Sequence, residues 1–162
     1  MTRSSFALCV LTLLAGCNHV IDSSSSSQSS SEPPSGLGRF AHSAIHRAIA
    51  PWDGPATALV LGENALVEGK LAAPYVSIRI NRSYTELSKQ KLRIDGTESK
   101  VGSAQFLVKE GETGVLSWVE VEFEEIREGK PVHGTYDAAF PDGTHARGQF
   151  QADWWKSEGF GG

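Results

Sequence analysis

Residues 132–154 read VHGTYDAAFPDGTHARGQFQADW, and their pairing can be worked out from the letters alone. The run Phe140-Pro141-Asp142-Gly143-Thr144 has the composition of a type I turn followed by a glycine in the left-handed region. With residues 141–143 as a three-residue loop, Phe140 faces Thr144 and Ala138 faces Ala146. Further along, Tyr136 faces Gly148, Gly134 faces Phe150, and Val132 faces Ala152. Each ring thus lies opposite a glycine and can cover its bare backbone. On the reverse side Asp137 faces Arg147 and Thr135 faces Gln149. One register sorts both faces, and a slip of one residue would scramble them.

Working outward, residues 115–126 alternate Val119, Val121 and Phe123 against Glu120, Glu122 and Glu124. Period two with one charged face predicts a half-buried strand. If Glu128-Gly129 is a two-residue turn, Phe123 faces Gly134, Val121 faces Tyr136 and Val119 faces Ala138. The apolar face then runs across three strands, a meander over residues 115–154. Upstream, residues 75–80 alternate in the same way, and 57–61, 92–94 and 104–109 are shorter strand candidates. Residues 41–49 read either as a first strand or as one or two helical turns. The expectation is an all-β domain over residues 37–157, a small antiparallel β-sandwich or barrel.

The N-terminus reads MTRSSFALCVLTLLAGC. A basic start at Arg3, an apolar run over residues 6–14 and small residues at Ala15 and Gly16 describe a secretory signal over residues 1–16. The run is about half of the roughly 20 residues that a spanning helix needs. Leu14-Ala15-Gly16-Cys17 resembles the lipobox of bacterial lipoproteins. That resemblance implies cleavage before Cys17, a thioether-linked diacylglycerol on its sulfur, and acylation (palmitate in many members) of the new amino group. Asn18, where enteric lipoproteins retained in the inner membrane carry Asp, implies the outer membrane by the same resemblance. The hairpin at 132–154 is also similar to the closing hairpin of small uncharacterised bacterial lipoproteins, with Trp154 and Trp155 where members often have a cysteine.

Residues 22–36 read DSSSSSQSSSEPPSG, a polar low-complexity stretch with nothing to bury, and residues 17–36 are expected to form a disordered tether. From Asn18 such a tether has an r.m.s. reach of about 25 Å and an extended reach near ~65 Å. A spacer is the plain reading; a signal for surface export is the alternative. The glycine-rich tail at 158–162 is expected to be loose.

The chain has 15 basic and 19 acidic residues, and losing Arg3 with the signal leaves 14 against 19. This balance argues against nucleic acid as a partner, which needs clustered cations, and against electrostatic docking to anionic lipid. The two cysteines are Cys9, lost with the signal, and Cys17, consumed by lipid, so the β domain has no disulfide and must rely on one packed core.

No cofactor or metal site is expected. His42 and His46 have the i, i+4 spacing of a helical metal clamp, without a neighbouring Glu or a third ligand. His133 and His145 fall about 20 Å apart in the deduced hairpin. Glu120, Glu122, Glu124 and Glu125 lie along a strand rather than converging from a loop, which reads as a solvated acidic face or a docking surface for a basic partner. Ser88 and Lys91 match SxxK without its companion motifs, and no GxSxG or phosphate-binding glycine loop is present. Trp118 falls on the glutamate face beside Ala139 and His145, and Trp155 points away from Trp154 onto the polar side. Trp118, Glu120, Glu122, Glu124 and Trp155 are therefore the candidate interaction residues, and Cys17 the lipidation site. The functional expectation is a non-enzymatic, membrane-anchored envelope lipoprotein that presents an interaction or structural module, with an envelope protein as partner. A ligand-binding or enzyme-inhibitor barrel is the alternative, and a hydrolase with an unmarked carboxylate pair the third reading.

Overall fold

The computed structural model describes residues 40–65 and 72–155. The expected signal sequence (residues 1–16), Cys17, the expected tether and the expected loose tail at 158–162 lie outside the described residues.

Period-two alternation becomes strand almost everywhere it was expected. The strands are β1 (His42–Ile49), β2 (Pro55–Gly62), β3 (Tyr75–Ile80), β4 (Lys91–Asp95), β5 (Gly102–Lys109), β6 (Glu112–Val115), β7 (Trp118–Phe123), β8 (Val132–Ala139) and β9 (His145–Trp154). One 3-10 turn, Tyr84–Glu86, lies between β3 and β4, and the described residues contain no α-helix. Residues 41–49, open between strand and helix in the sequence, resolve to the strand β1.

The strands form one sheet in the order β4-β7-β8-β9-β1-β2-β3-β5-β6. Neighbours are antiparallel except β9 and β1, which run parallel, with Ala44 beside Asp153 and Ile45 beside Trp154. Just beyond that pairing the Trp155 amide donates to the Ile45 carbonyl at 2.8 Å. Of the two expected architectures, the single continuous sheet selects the barrel-like one. It curls into a half-barrel, and the segment after the edge strand β4 reaches β5, next to the opposite edge, where the Ala104 amide donates to the Gly96 carbonyl at 3.1 Å.

The closing hairpin has the register deduced from the sequence, from Ala138 opposite Ala146 to Val132 opposite Ala152. Its turn closes through Phe140 N to Thr144 O at 2.9 Å and Gly143 N to Phe140 O at 3.0 Å, with Gly143 at φ 86°. A left-handed backbone there is what glycine supplies without steric cost. The β7–β8 register is also the deduced one, with Phe123 opposite Gly134.

Two boundaries differ from the reading of residues 115–126 as one strand. At the start, Leu116 donates its amide to Ala104 of β5 and Ser117 donates to Ala139 of β8. Successive amides thus serve opposite halves of the curl, which separates β6 from β7. At the other end the ladder stops at Phe123, and the Ile126 amide turns to Ser88 Oγ at 3.1 Å.

The concave side holds one hydrophobic core. Ile45, Leu59, Ile78 and Ala104 form a row across β1, β2, β3 and β5, and Ile94, Val119, Ala138 and Ala146 form one across β4, β7, β8 and β9. All eight are buried in the same cluster. Phe123 meets Phe150 edge to face at 5.8 Å, and Phe140 meets Phe106 at 5.4 Å. Each large side chain buried here is worth about 1.5–3 kcal/mol of transfer free energy.

Candidate interaction surface

The strands that send Val119, Val121 and Phe123 inward send Trp118, Glu120 and Glu122 outward by the same alternation. On this convex face the register sets Arg93, Glu120, Asp137 and Arg147 side by side across β4, β7, β8 and β9. The charges read plus, minus, minus, plus. Directly opposed like charges such as Glu120 and Asp137 are unfavourable on their own. Lys91 and Arg147 on either flank offset them. Lys91 Nζ lies 2.7 Å from Glu120 Oε1, Arg147 Nε lies 2.9 Å from Asp137 Oδ2, and His145 Nδ1 lies 3.3 Å from Asp137 Oδ1. The Lys91 ammonium is held above its ordinary value, first by its hydrogen bond to Glu120 and then by the charge of that carboxylate. These pairs face water, so they fix charge pattern more than they add stability.

Trp118 stands at the end of this face, half-buried between two neighbours. The Arg93 guanidinium carbon lies 4.2 Å from the centre of its ring, and the His145 ring meets it at 5.4 Å in an edge-on arrangement. Sequence reasoning had placed His145 beside Trp118; Arg93 was missed, because the β4–β7 pairing was not deduced. Glu122 sits opposite Lys91 and Thr135, and Glu124, just past β7, donates its amide to the His133 carbonyl.

Trp155 is elsewhere. It follows β9, whose first residue His145 is beside Trp118, so about ten residues of extended chain, some 33 Å, separate the two tryptophans. The Trp155 ring packs edge-on against His46 of β1 at 5.1 Å. The candidate residues therefore divide into a patch around Trp118, Glu120, Glu122 and Glu124, and a separate contact at Trp155.

His42 and His46 both lie on β1, where four residues span about 13 Å instead of one helical turn. Among the described residues no three His, Cys, Asp or Glu side chains converge as a metal site would require.

A second cluster had no signal in the sequence, because its members come from four distant segments. Arg47 of β1 forms an ion pair with Glu128 of the β7–β8 turn, and its guanidinium carbon lies 5.3 Å from the Tyr84 ring centre. Tyr84 donates its hydroxyl to Glu128 Oε2 at 2.7 Å and takes the Trp154 ring edge-on at 5.1 Å. Beside it Arg47, Ala48, Pro55, Ala56, Ser83, Tyr84 and Thr85 line a shallow depression of about 350 Å³. Only a pairing between the 3-10 turn and the β7–β8 turn could have announced this arrangement, and neither turn has regular periodicity.

No family model matches the chain, and neither the curated proteins nor the solved structures include one detectably similar to it.

Proposed function

We propose that this chain is an envelope lipoprotein, exported and held on a membrane by lipid on Cys17, whose β domain works by contact rather than by catalysis. The observation that carries this reading is Leu14-Ala15-Gly16-Cys17 placed directly at the end of an apolar run. Burial of acyl chains at about 0.8 kcal/mol per CH₂ makes one chain a marginal anchor and two or three together effectively permanent. Asn18 supports the outer membrane as the destination. The contact reading draws support from the convex face. Glu120 and Asp137 are engaged by cations on adjacent strands, and Trp118 stands beside the Arg93 guanidinium at its margin. An aromatic framed by paired charges suits a protein partner, since the ring supplies contact area while the charges select orientation.

Two measurements test the reading. The mature protein should carry a lipid-sized mass increment and partition with membranes, and Cys17→Ala should leave an uncleaved precursor or a released protein. An unlipidated mature mass with unchanged membrane partitioning would refute the anchor. A photo-crosslinking residue at position 118 should give an adduct in intact envelopes, whereas one at Glu110 should not. Equal labelling from both positions, or none from 118, would remove the docking face.

A further inference from the structure

The largest exposed hydrophobic side chains lie together at one place. Ile49 is 71% exposed and Trp52 is 53% exposed, and both belong to the β1–β2 hairpin tip, with exposed Pro51 between them. The tip is rigid. The Ala50 amide donates to Gly54 O at 2.9 Å, the Asp53 amide donates back to Ala50 O at 3.0 Å, and Asp53 takes a left-handed φ of 59°. The Trp52 ring lies over Gly54, where an added Cβ would come within 3.0 Å of its Nε1. Ring and loop are thus ordered in advance, and exposing them to water has no evident structural use.

We propose that this tip enters the interfacial layer of the bilayer to which the chain is anchored, so that the domain rests on the membrane through Ile49, Pro51 and Trp52. The inference rests on the lipoprotein reading above. Three observations point to a lipid surface as the occupant. First, the tip protrudes. A convex apolar loop suits a fluid that can close around it, whereas a protein partner would have to supply a matching pocket. Second, tryptophan with its polar N–H is suited to the boundary between headgroups and acyl chains. The segments that flank the tip at this end, 81–90 and 124–131, carry four basic and four acidic side chains. The acidic excess of the chain is therefore not gathered where headgroups would meet it. Third, the lengths agree. Between Cys17 and His42 lie 24 residues, whose contour of about 80 Å bounds how far they can reach. β1 carries the chain from His42 to the tip over eight residues, about 25 Å. A domain standing on its hairpin tip therefore puts His42 at a height well within that bound.

The test uses the full lipidated chain, reconstituted into phosphatidylcholine vesicles with or without bromine on the acyl chains. Bromine quenches only rings that reach the acyl region. Wild type should float with the vesicles and lose about a quarter of its tryptophan emission in brominated lipid, one ring of the four in the chain. Trp52→Phe should float equally and lose none. Wild type that floats with no bromine-dependent loss would overturn the insertion and leave the anchor standing. Equal loss in Trp52→Phe would overturn it too, by placing a different ring in the lipid. Wild type that fails to float would sink the anchor reading, and this inference with it. A shift of Trp52 emission on self-association, without bromine quenching, would assign the tip to a second copy of the chain and refute the membrane contact.

Discussion

Gly134 and Gly148 face Phe150 and Tyr136 across β8 and β9, yet the two glycines are not equally constrained. A Cβ on Gly134 would meet the Glu122 carbonyl oxygen at 2.2 Å as well as the Phe150 ring at 2.6 Å. A backbone oxygen held in a ladder cannot move aside. The atoms nearest to a Cβ on Gly148 belong to Tyr136, first its hydroxyl, 2.8 Å away. That end of a side chain can shift by a few tenths of an ångström. Gly134→Ala should therefore destabilise by about 1–3 kcal/mol through overpacking, and Gly148→Ala by clearly less. Denaturant unfolding of both variants checks this, and equal losses would contradict it. Asp142 offers a pH-dependent counterpart. Its Oδ1 accepts from the Thr144 amide at 2.9 Å and from the Thr144 hydroxyl at 2.7 Å. Those bonds, the hydroxyl's first, hold its carboxyl below the ordinary 3.8. A depressed folded-state pKa stabilises the fold above the unfolded value and loses that contribution as pH falls through the folded one. The melting temperature of wild type should exceed that of Asp142→Ala at neutral pH, and the gap should shrink as pH drops below 3.8. A gap that widened on acidification would show that the turn is not held by the ionised carboxylate.

Whole strands were legible in proportion to how much of their pairing was local. The register of β8 and β9 followed from a single turn, because glycines opposite rings on one face and Asp137 opposite Arg147 on the other allow one alignment. The same logic reached β7 through the Gly129 turn, with φ 74° at that glycine. It stopped where partners are distant in sequence. Nothing in β4 names β7 as its neighbour, so the plus-minus-minus-plus row through Arg93 stayed hidden. The parallel contact of β1 with β9 has no turn to announce it. β6 and β7 read as one strand because Val115, Ser117, Val119 and Val121 keep one parity in the sequence, whereas the bend at Leu116 and Ser117 flips the phase, burying Leu116 and exposing Val115. The candidate site was half legible for the same reason. Alternation placed Trp118 with the glutamates, but only the tertiary path of β9 shows Trp155 to be far from them. Position in the sheet also sets local stability. β8 has a paired neighbour on both sides, whereas the four-residue β6 is an edge next to a register shift between Leu107 and Lys109. Amides of β8 should exchange with solvent slowest and those of β6 among the fastest. Hydrogen-exchange mass spectrometry would read the difference, and comparable protection would mean that the β6 edge is covered.

The order of strands joins two halves that each look like a separate meander: β1, β2, β3, β5 and β6 on one side, β4, β7, β8 and β9 on the other. Their connection by backbone pairing is slight. It consists of the two-residue parallel ladder between β1 and β9, the Trp155–Ile45 bond after it, and the stitch around Gly96, Ala104 and Leu116 at the other side of the curl. Side chains join them far more extensively. Ile45, Leu59 and Ile78 from one half share a single buried cluster with Val119, Phe123 and Phe150 from the other. A core that spans both halves makes neither able to bury its apolar face alone, and a chain of this size with one core should unfold in one step. The expectation is that tryptophan fluorescence, dominated by Trp118, Trp154 and Trp155 near β7 and β9, and far-UV circular dichroism, which reports the strands of both halves, will give coincident denaturation curves. Ile45→Ala and Phe123→Ala, one in each half, should each move the whole transition to lower denaturant, by about 2–5 kcal/mol, without splitting it. If Ile45→Ala instead uncoupled the curves, with ellipticity lost before fluorescence, the two halves would be separate folding units joined at β1 and β9, and the shared core would be a docked interface rather than the origin of the fold.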